Sequence, residues 1–150
     1  MNGISFIDSD DHERLRAVAD EHSFDLVVLF GSRAKGRARA DSDVDIGVWC
    51  EWPQLTSERQ RYERERIIRR AISRALPSDC DLHFAFLNHA GSLLLRSIAE
   101  TGVPLYRRDA STWPRFRVYA NRRYRADGRF RRRLADSLRK KYHDHQRTGS

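Results

Sequence analysis

Apolar positions along this chain switch between two periods, and the switches outline its elements. In residues 8–22 a run of acids precedes Leu15, Val18 and Ala19 at helical spacing. Acids are favoured at a helix start by the backbone dipole, so this segment predicts a helix. Residues 25–30 (DLVVLF) form a short apolar run of strand length ending at Gly31-Ser32, and residues 44–49 (VDIGVW) predict a second strand. Residues 57–75 return to the helical period, with Ser57 and Gln60 spaced for a capping box, Ile68, Ile72 and Ala75 on one face, and Pro77 as the stop. Residues 80–87 (CDLHFAFL) predict a third strand. Residues 89–101 predict a helix that turns Leu94, Leu95 and Ile98 inward and closes at Gly102. Val103-Pro104-Leu105-Tyr106 suits an edge strand, where proline is tolerated.

Beyond residue 110, Trp113, Phe116, Ala120 and Tyr124 recur every three or four positions. After Asp127-Gly128, Phe130, Leu134, Leu138 and Tyr142 recur every four. Both segments predict amphipathic helices with a narrow apolar stripe and a wide arginine face. The Asp-Gly pair marks either a break or a bend between them. The order α-β-β-α-β-α-β-α predicts an α+β domain, a small mixed sheet flanked by helices.

Charge sharpens this division. The net charge is +8, yet residues 111–150 hold 13 Arg and Lys against 3 Asp, while residues 1–110 hold 16 against 18. The expected organisation is a near-neutral body over 1–110 and a basic helical extension over 111–150, both within one domain. Such an extension suits nucleic acid or an acidic protein face; it equally suits a solvated helix that keeps the protein soluble. No run reaches the ~20 apolar residues of a membrane helix, and the N-terminus lacks the basic and apolar regions of a signal peptide. Cys50 and Cys80 read as two buried free thiols, and Trp49, Trp52 and Trp113 as packing residues. A cytoplasmic protein is expected.

The chemistry concentrates in residues 31–46. Gly31 permits a tight turn with bare backbone, and Ser32 adds a hydroxyl beside helix-start amides, together an anion site. Arg33, Lys35 and Arg37 bring positive charge. Alone, such a turn fits any strand-to-helix junction. Asp43 and Asp45, two apart on a strand, point to one face while Val44 and Ile46 point into the core. An Asp-x-Asp is common in turns and surface ion pairs, but here it opens an apolar strand, where unpaired charge is costly. Two carboxylates side by side need a cation, and Mg²⁺ takes oxygen ligands from one or two carboxylates plus phosphates. A third carboxylate is expected from a neighbouring strand. Asp81, between Cys80 and Leu82, is the choice; Asp79 shares its face but sits beside Pro77-Ser78. Three carboxylates suit two metals, one orienting a triphosphate and one lowering the pKa of an attacking hydroxyl. Asp81 is also placed to take a proton. His83, two beyond Asp81, shares that face as either a nucleotide contact, a proton-transfer aid or a hydrogen-bonded structural residue. The arginines of 57–74 alternate with glutamates and read as a solvated face with local ion pairs.

Gly31-Ser32, ten residues, Asp43-Val44-Asp45, and then Cys80-Asp81-Leu82 resemble the signature of the polymerase β-type nucleotidyltransferases. The short length, with Leu87-Asn88, Leu93-Leu94-Leu95, Gly102 and Leu105-Tyr106, resembles the minimal nucleotidyltransferases (MNT), the antitoxin halves of HEPN–MNT toxin–antitoxin pairs. The resemblance covers about residues 24–124; where relatives carry a second aspartate after the third carboxylate, this chain has His83-Phe84-Ala85-Phe86. It implies that fold, with Asp43, Asp45 and Asp81 as catalytic metal ligands. It also implies Gly31, Ser32, Arg33 and Lys35 at the nucleotide phosphates, with Mg²⁺ (two ions) as cofactor and ATP as donor. The implied reaction moves AMP to a tyrosine of a HEPN ribonuclease toxin. Other acceptors, an RNA end bound through the basic tail or a small hydroxylated molecule, keep the same chemistry. A toxin-binding antitoxin without catalysis leaves the carboxylate triad unexplained, and a nucleic-acid-binding module leaves the Asp-x-Asp strand unexplained.

Overall fold

The computed structural model describes residues 7–31, 34, 43–53, 57–77 and 81–148, with side chains as far as residue 143. Its elements follow the expected order: α1 (Ser9–His22), β1 (Leu26–Phe30), β2 (Val44–Trp49), α2 (Glu58–Ala75), β3 (Leu82–Phe86), α3 (Ser92–Thr101), β4 (Val103–Arg107) and α4 (Thr112–Thr148). The caps explain two of the helix starts. Asp8 and Asp11 form a reciprocal capping box at α1, with Asp11 N–H donating to Asp8 at 2.8 Å. Ser57 and Gln60 do the same at α2, each backbone N–H 3.3 Å from the other's side chain. Each box satisfies amides that a helix start leaves without partners.

The sheet has strand order β3-β2-β1-β4. β1 runs antiparallel to both β2 and β4, and β2 and β3 are parallel, joined through α2. β4 lies at the edge, and the register slips opposite Val27/Val28, where Val28 faces Pro104; the edge absorbs the amide that proline lacks. At the other end, Asn88 continues the parallel pair beyond the backbone: its amide donates to Cys50 O at 2.7 Å and accepts from Cys50 N at 3.0 Å.

Strand alternation sends side chains to two cores. Val27, Leu29, Val44, Ile46 and Val48 join Leu15 and Ala19 of α1 and Ile68 and Ile72 of α2. Leu26, Val28, Trp49 and Leu87 join Leu95 and Ile98 of α3 and Phe116 and Ala120 of α4. The sheet is therefore the middle of three layers, consistent with a mixed sheet flanked by helices.

Two expectations change, and one open alternative resolves. Trp52 is 78% exposed and packs in neither core, unlike Trp49 at 3%; it follows the end of β2, where the chain has left both layers. Cys50 is a free thiol only half-buried, its Sγ 3.4 Å from Ser23 O, and burial pushes its pKa up; Cys80 lies outside the described residues. The two C-terminal helices are one, α4, of 37 residues and about 55 Å. Gly128 costs an exposed helix only ~1 kcal/mol relative to alanine, too little to stop it against good helix formers on both sides. Its start is anchored by Asp109, whose carboxylate accepts from Ser111 N at 2.9 Å and Ser111 Oγ at 2.6 Å. Those bonds, with Arg115 nearby, lower the Asp109 pKa to about 2. Arg115 in turn grips Glu51 at 2.7 Å, tying α4 to the end of β2.

Candidate active site

β1 ends at Phe30, and the chain turns at Gly31 with φ +76°. That is left-handed backbone, which glycine adopts without cost. The position is doubly constrained: a Cβ here would press into the Asp45 carboxylate, 3.2 Å from its Cγ. Backbone and carboxylate thus meet at the mouth of the hairpin. The antiparallel register sets Phe30 opposite Asp45, and the parallel register sets His83 beside Asp45 on the other flank.

Asp43 immediately precedes β2 and is exposed, whereas Asp45 is half-buried. Between them Val44 is fully buried in the opposite core, as alternation requires. Asp81 precedes β3, its carbonyl accepting from Val44 N at 2.9 Å. Continuing the register outward by one residue from Val44↔Leu82 sets Asp81 across from Asp43. Leu82 packs on the α1/α2 core, so alternation turns His83 to the carboxylate face. His83 closes the group, with Nε2 3.3 Å from Asp43 Oδ2.

The carboxylates differ electrostatically. Burial raises the Asp45 pKa; His83 opposes that shift and Asp43 adds to it. Asp45 is thus a carboxylate drawn from water toward a like charge, the situation that favours a cation. Asp43 and Asp45 are an oxygen donor pair of the kind Mg²⁺ uses together with substrate phosphates, and in that sense the residues fit the ion. Among the described residues no three His, Cys, Asp or Glu side chains converge closely enough to hold a metal by themselves. Of the expected phosphate contacts, Gly31 lies at the turn after β1; Ser32, Arg33 and Lys35 lie outside the described residues, as does Asp79.

A cavity of about 260 Å³, lined among others by Phe24, Cys50, Arg64 and Asn88, lies elsewhere. It opens on the α1/α2 side at the far end of β2, away from the carboxylates. The position of Asn88 in the fold was also not evident from its neighbours in sequence, because its partner Cys50 is 38 residues away.

The family model described as polymerase beta nucleotidyltransferase matches residues 13–111, more than half of the chain. The chain belongs to that family. Its match runs from within α1 through β4, and the start of β2 is the part that carries the carboxylates. Solved structures share the fold. A chain of a toxin–antitoxin complex with AMP-PNP has TM-score 0.59 and 20% identity, over 85% of this chain and 97% of its own. A chain of the MntA–HepT toxin–antitoxin complex has TM-score 0.54 and 18% identity, over 85% and 96%. A chain of a complex between a tri-AMPylated HEPN toxin and MNT antitoxin from Shewanella oneidensis has TM-score 0.54 and 18% identity, over 85% and 95%. At these identities the likeness is one of fold. No curated protein matches the sequence.

Proposed function

We propose that this member of the nucleotidyltransferase family is an antitoxin that transfers AMP from ATP to a tyrosine of a cognate HEPN-type ribonuclease and silences it. The observation that carries the reading is Asp43 at the entry to β2 bearing on the Asp45 carboxylate, with Gly31 backbone against Asp45. The toxin–antitoxin complexes that share the fold, one with AMP-PNP and one with an AMPylated toxin, support the choice of partner and nucleotide. Residues 1–110 would form the transferase body and 111–150 an extension of the same domain, at work in the cytoplasm. No described helix is long and apolar enough to cross a membrane.

In this reading the tyrosine oxygen attacks the α-phosphorus of ATP, a P–O bond forms, and pyrophosphate leaves. Asp43 and Asp45 would hold Mg²⁺, joined by Asp81, and the bound ion would supply charge neutralisation at the phosphates and at the departing pyrophosphate. Gly31, Ser32, Arg33 and Lys35 would cradle the triphosphate. Asp81 is the residue assigned to receive the phenol proton, from a group whose unperturbed pKa is ~10. The experiment is mass spectrometry of a HEPN-type ribonuclease after incubation with this protein, ATP and Mg²⁺. One or more added AMP masses on tyrosine, with loss of RNA cleavage, is the expected result. Silencing without added mass, equally by the Asp43→Asn protein, means neutralisation by contact. Labelling of RNA alone means a different acceptor.

A further inference from the structure

The catalytic body uses only the first third of α4. Trp113, Phe116 and Ala120 pack on the sheet and α3, and Tyr124 is held between the guanidinium groups of Arg96 and Arg131. After Ala120 no described residue of α4 is buried. The segment 125–143, roughly 28 Å of helix, nonetheless carries four large apolar side chains: Phe130 at 67% exposure, Leu134 at 49%, Leu138 at 57% and Tyr142 at 65%. A helix that exposes such a stripe keeps the cost of apolar surface in water, and contiguous exposed patches of this kind mark interaction sites.

Two features define the occupant. The four residues are spaced strictly by four, so they form a single i±4n ridge. Such a ridge packs into the grooves of another helix, at a crossing near −50° against a partner's i±4n ridges or near +20° against its i±3n ridges. The segment also holds eight Arg and Lys against Asp127 and Asp136. Arg125, Arg129 and Arg133 stand four apart, and like charges at that spacing destabilise an isolated helix. A second copy of this chain would add a second basic helix. Nucleic acid would neutralise the arginines but leave the ridge wet. An acidic helical protein surface relieves both.

We infer that residues 125–143 of α4 are a docking ridge for an acidic, helical face of the partner ribonuclease. The identity of that partner rests on the function proposed above; the ridge rests on exposure, spacing and charge. The ridge holds the ribonuclease to the body while the carboxylate face, built on other elements, acts on it.

Binding is measured by calorimetry between the HEPN-type ribonuclease of the proposed function and the Asp43→Asn protein, without nucleotide, so that transfer plays no part. Leu134→Lys with Leu138→Lys should weaken the complex roughly a hundredfold, the scale of losing two central apolar anchors. Arg125→Glu, Arg129→Glu and Arg133→Glu together should weaken it and remove most of its salt dependence. Circular dichroism checks that helix content is kept in both. In an otherwise wild-type chain the ridge variant should modify the ribonuclease more slowly at low concentration and recover at high concentration. Unchanged affinity in the ridge variant, with the ribonuclease still modified, overturns the ridge and leaves the proposed function standing. Self-association in sedimentation that Leu134→Lys abolishes, or displacement of the ribonuclease by a single-stranded RNA oligonucleotide, overturns it in favour of those occupants. Absence of both complex and added mass removes the proposed function and this occupant together.

Discussion

The two faces of β2 are built from alternate residues of one strand, and they differ in what covers them. Val44, Ile46 and Val48 are sealed beneath α1 and α2 along the whole strand. On the other face Trp49 is sealed beneath α3 and α4, Gly47 leaves room for Val28 and Leu87, and Asp45 is only half-buried. Among the described residues one layer runs the length of β2 and the other stops short of Asp45. The carboxylates occupy the end that the described residues leave uncovered, where charge keeps some access to water and to ligands. A polar pair on the sealed face would face the full cost of burial without partners.

Substitution on the open face should cost activity without costing the fold. Asp43→Asn or Asp45→Asn should lower AMP transfer by roughly 10²–10³-fold or more, the scale of removing one preorganised electrostatic group from an active site. Thermal unfolding should show a folded protein in both. Normal transfer by either variant removes these residues from the chemistry. On the sealed face the reverse should hold: Ile46→Ala should cost about 2–5 kcal/mol in urea unfolding, the range for emptying a buried aliphatic site. Transfer per folded molecule should change little.

Between the faces stands Gly31. Alanine there must adopt left-handed backbone, at about 1–2 kcal/mol, and push its Cβ into the Asp45 carboxylate. Lower stability and impaired transfer should appear together, read by unfolding and by label incorporation. Loss of stability alone would separate the turn from the site.

The smallest effect is in pH. Burial raises the Asp45 pKa, so folding favours its protonated form and the ionised form opposes folding. Stability tied to this group is present below its unfolded pKa and lost as pH rises through the raised folded one. In metal-free buffer Asp45→Asn should therefore melt slightly higher than the parent near neutral pH, with the gap closing as pH falls below the carboxylate range. A gap that widens on acidification would reverse the sign assigned to the burial of Asp45.

Much of this was legible in the residues because it rests on local periodicity. The helices of 8–22 and 57–75 carry their caps within four residues, and Asp43 and Asp45 share a face through strand alternation. Less legible features depend on distant partners. Trp49 and Trp52 are three apart in similar local company, yet one packs on Phe116 and the other faces water. The adjacency of Asp43 to His83 and the bonds of Asn88 to Cys50 exist only because β2 and β3 pair in parallel across α2. Asp127-Gly128 carries a turn signal, but flanking residues that favour helix override a penalty of ~1 kcal/mol.

By itself the sequence determined the order of elements, the two-sidedness of β2 and the presence of a carboxylate pair on a strand, since each follows from the 3.6- and 2-residue periods of backbone geometry. Tertiary structure decided which face would be left open. It set β3 beside β2 so that His83 comes against Asp43, and among the described residues it left Asp45 beyond the α3/α4 layer. It also carried α4 past the body with Phe130, Leu134, Leu138 and Tyr142 exposed. Those outcomes come from contacts between residues far apart in the chain, whose energies depend on how whole layers pack and not on any local pattern.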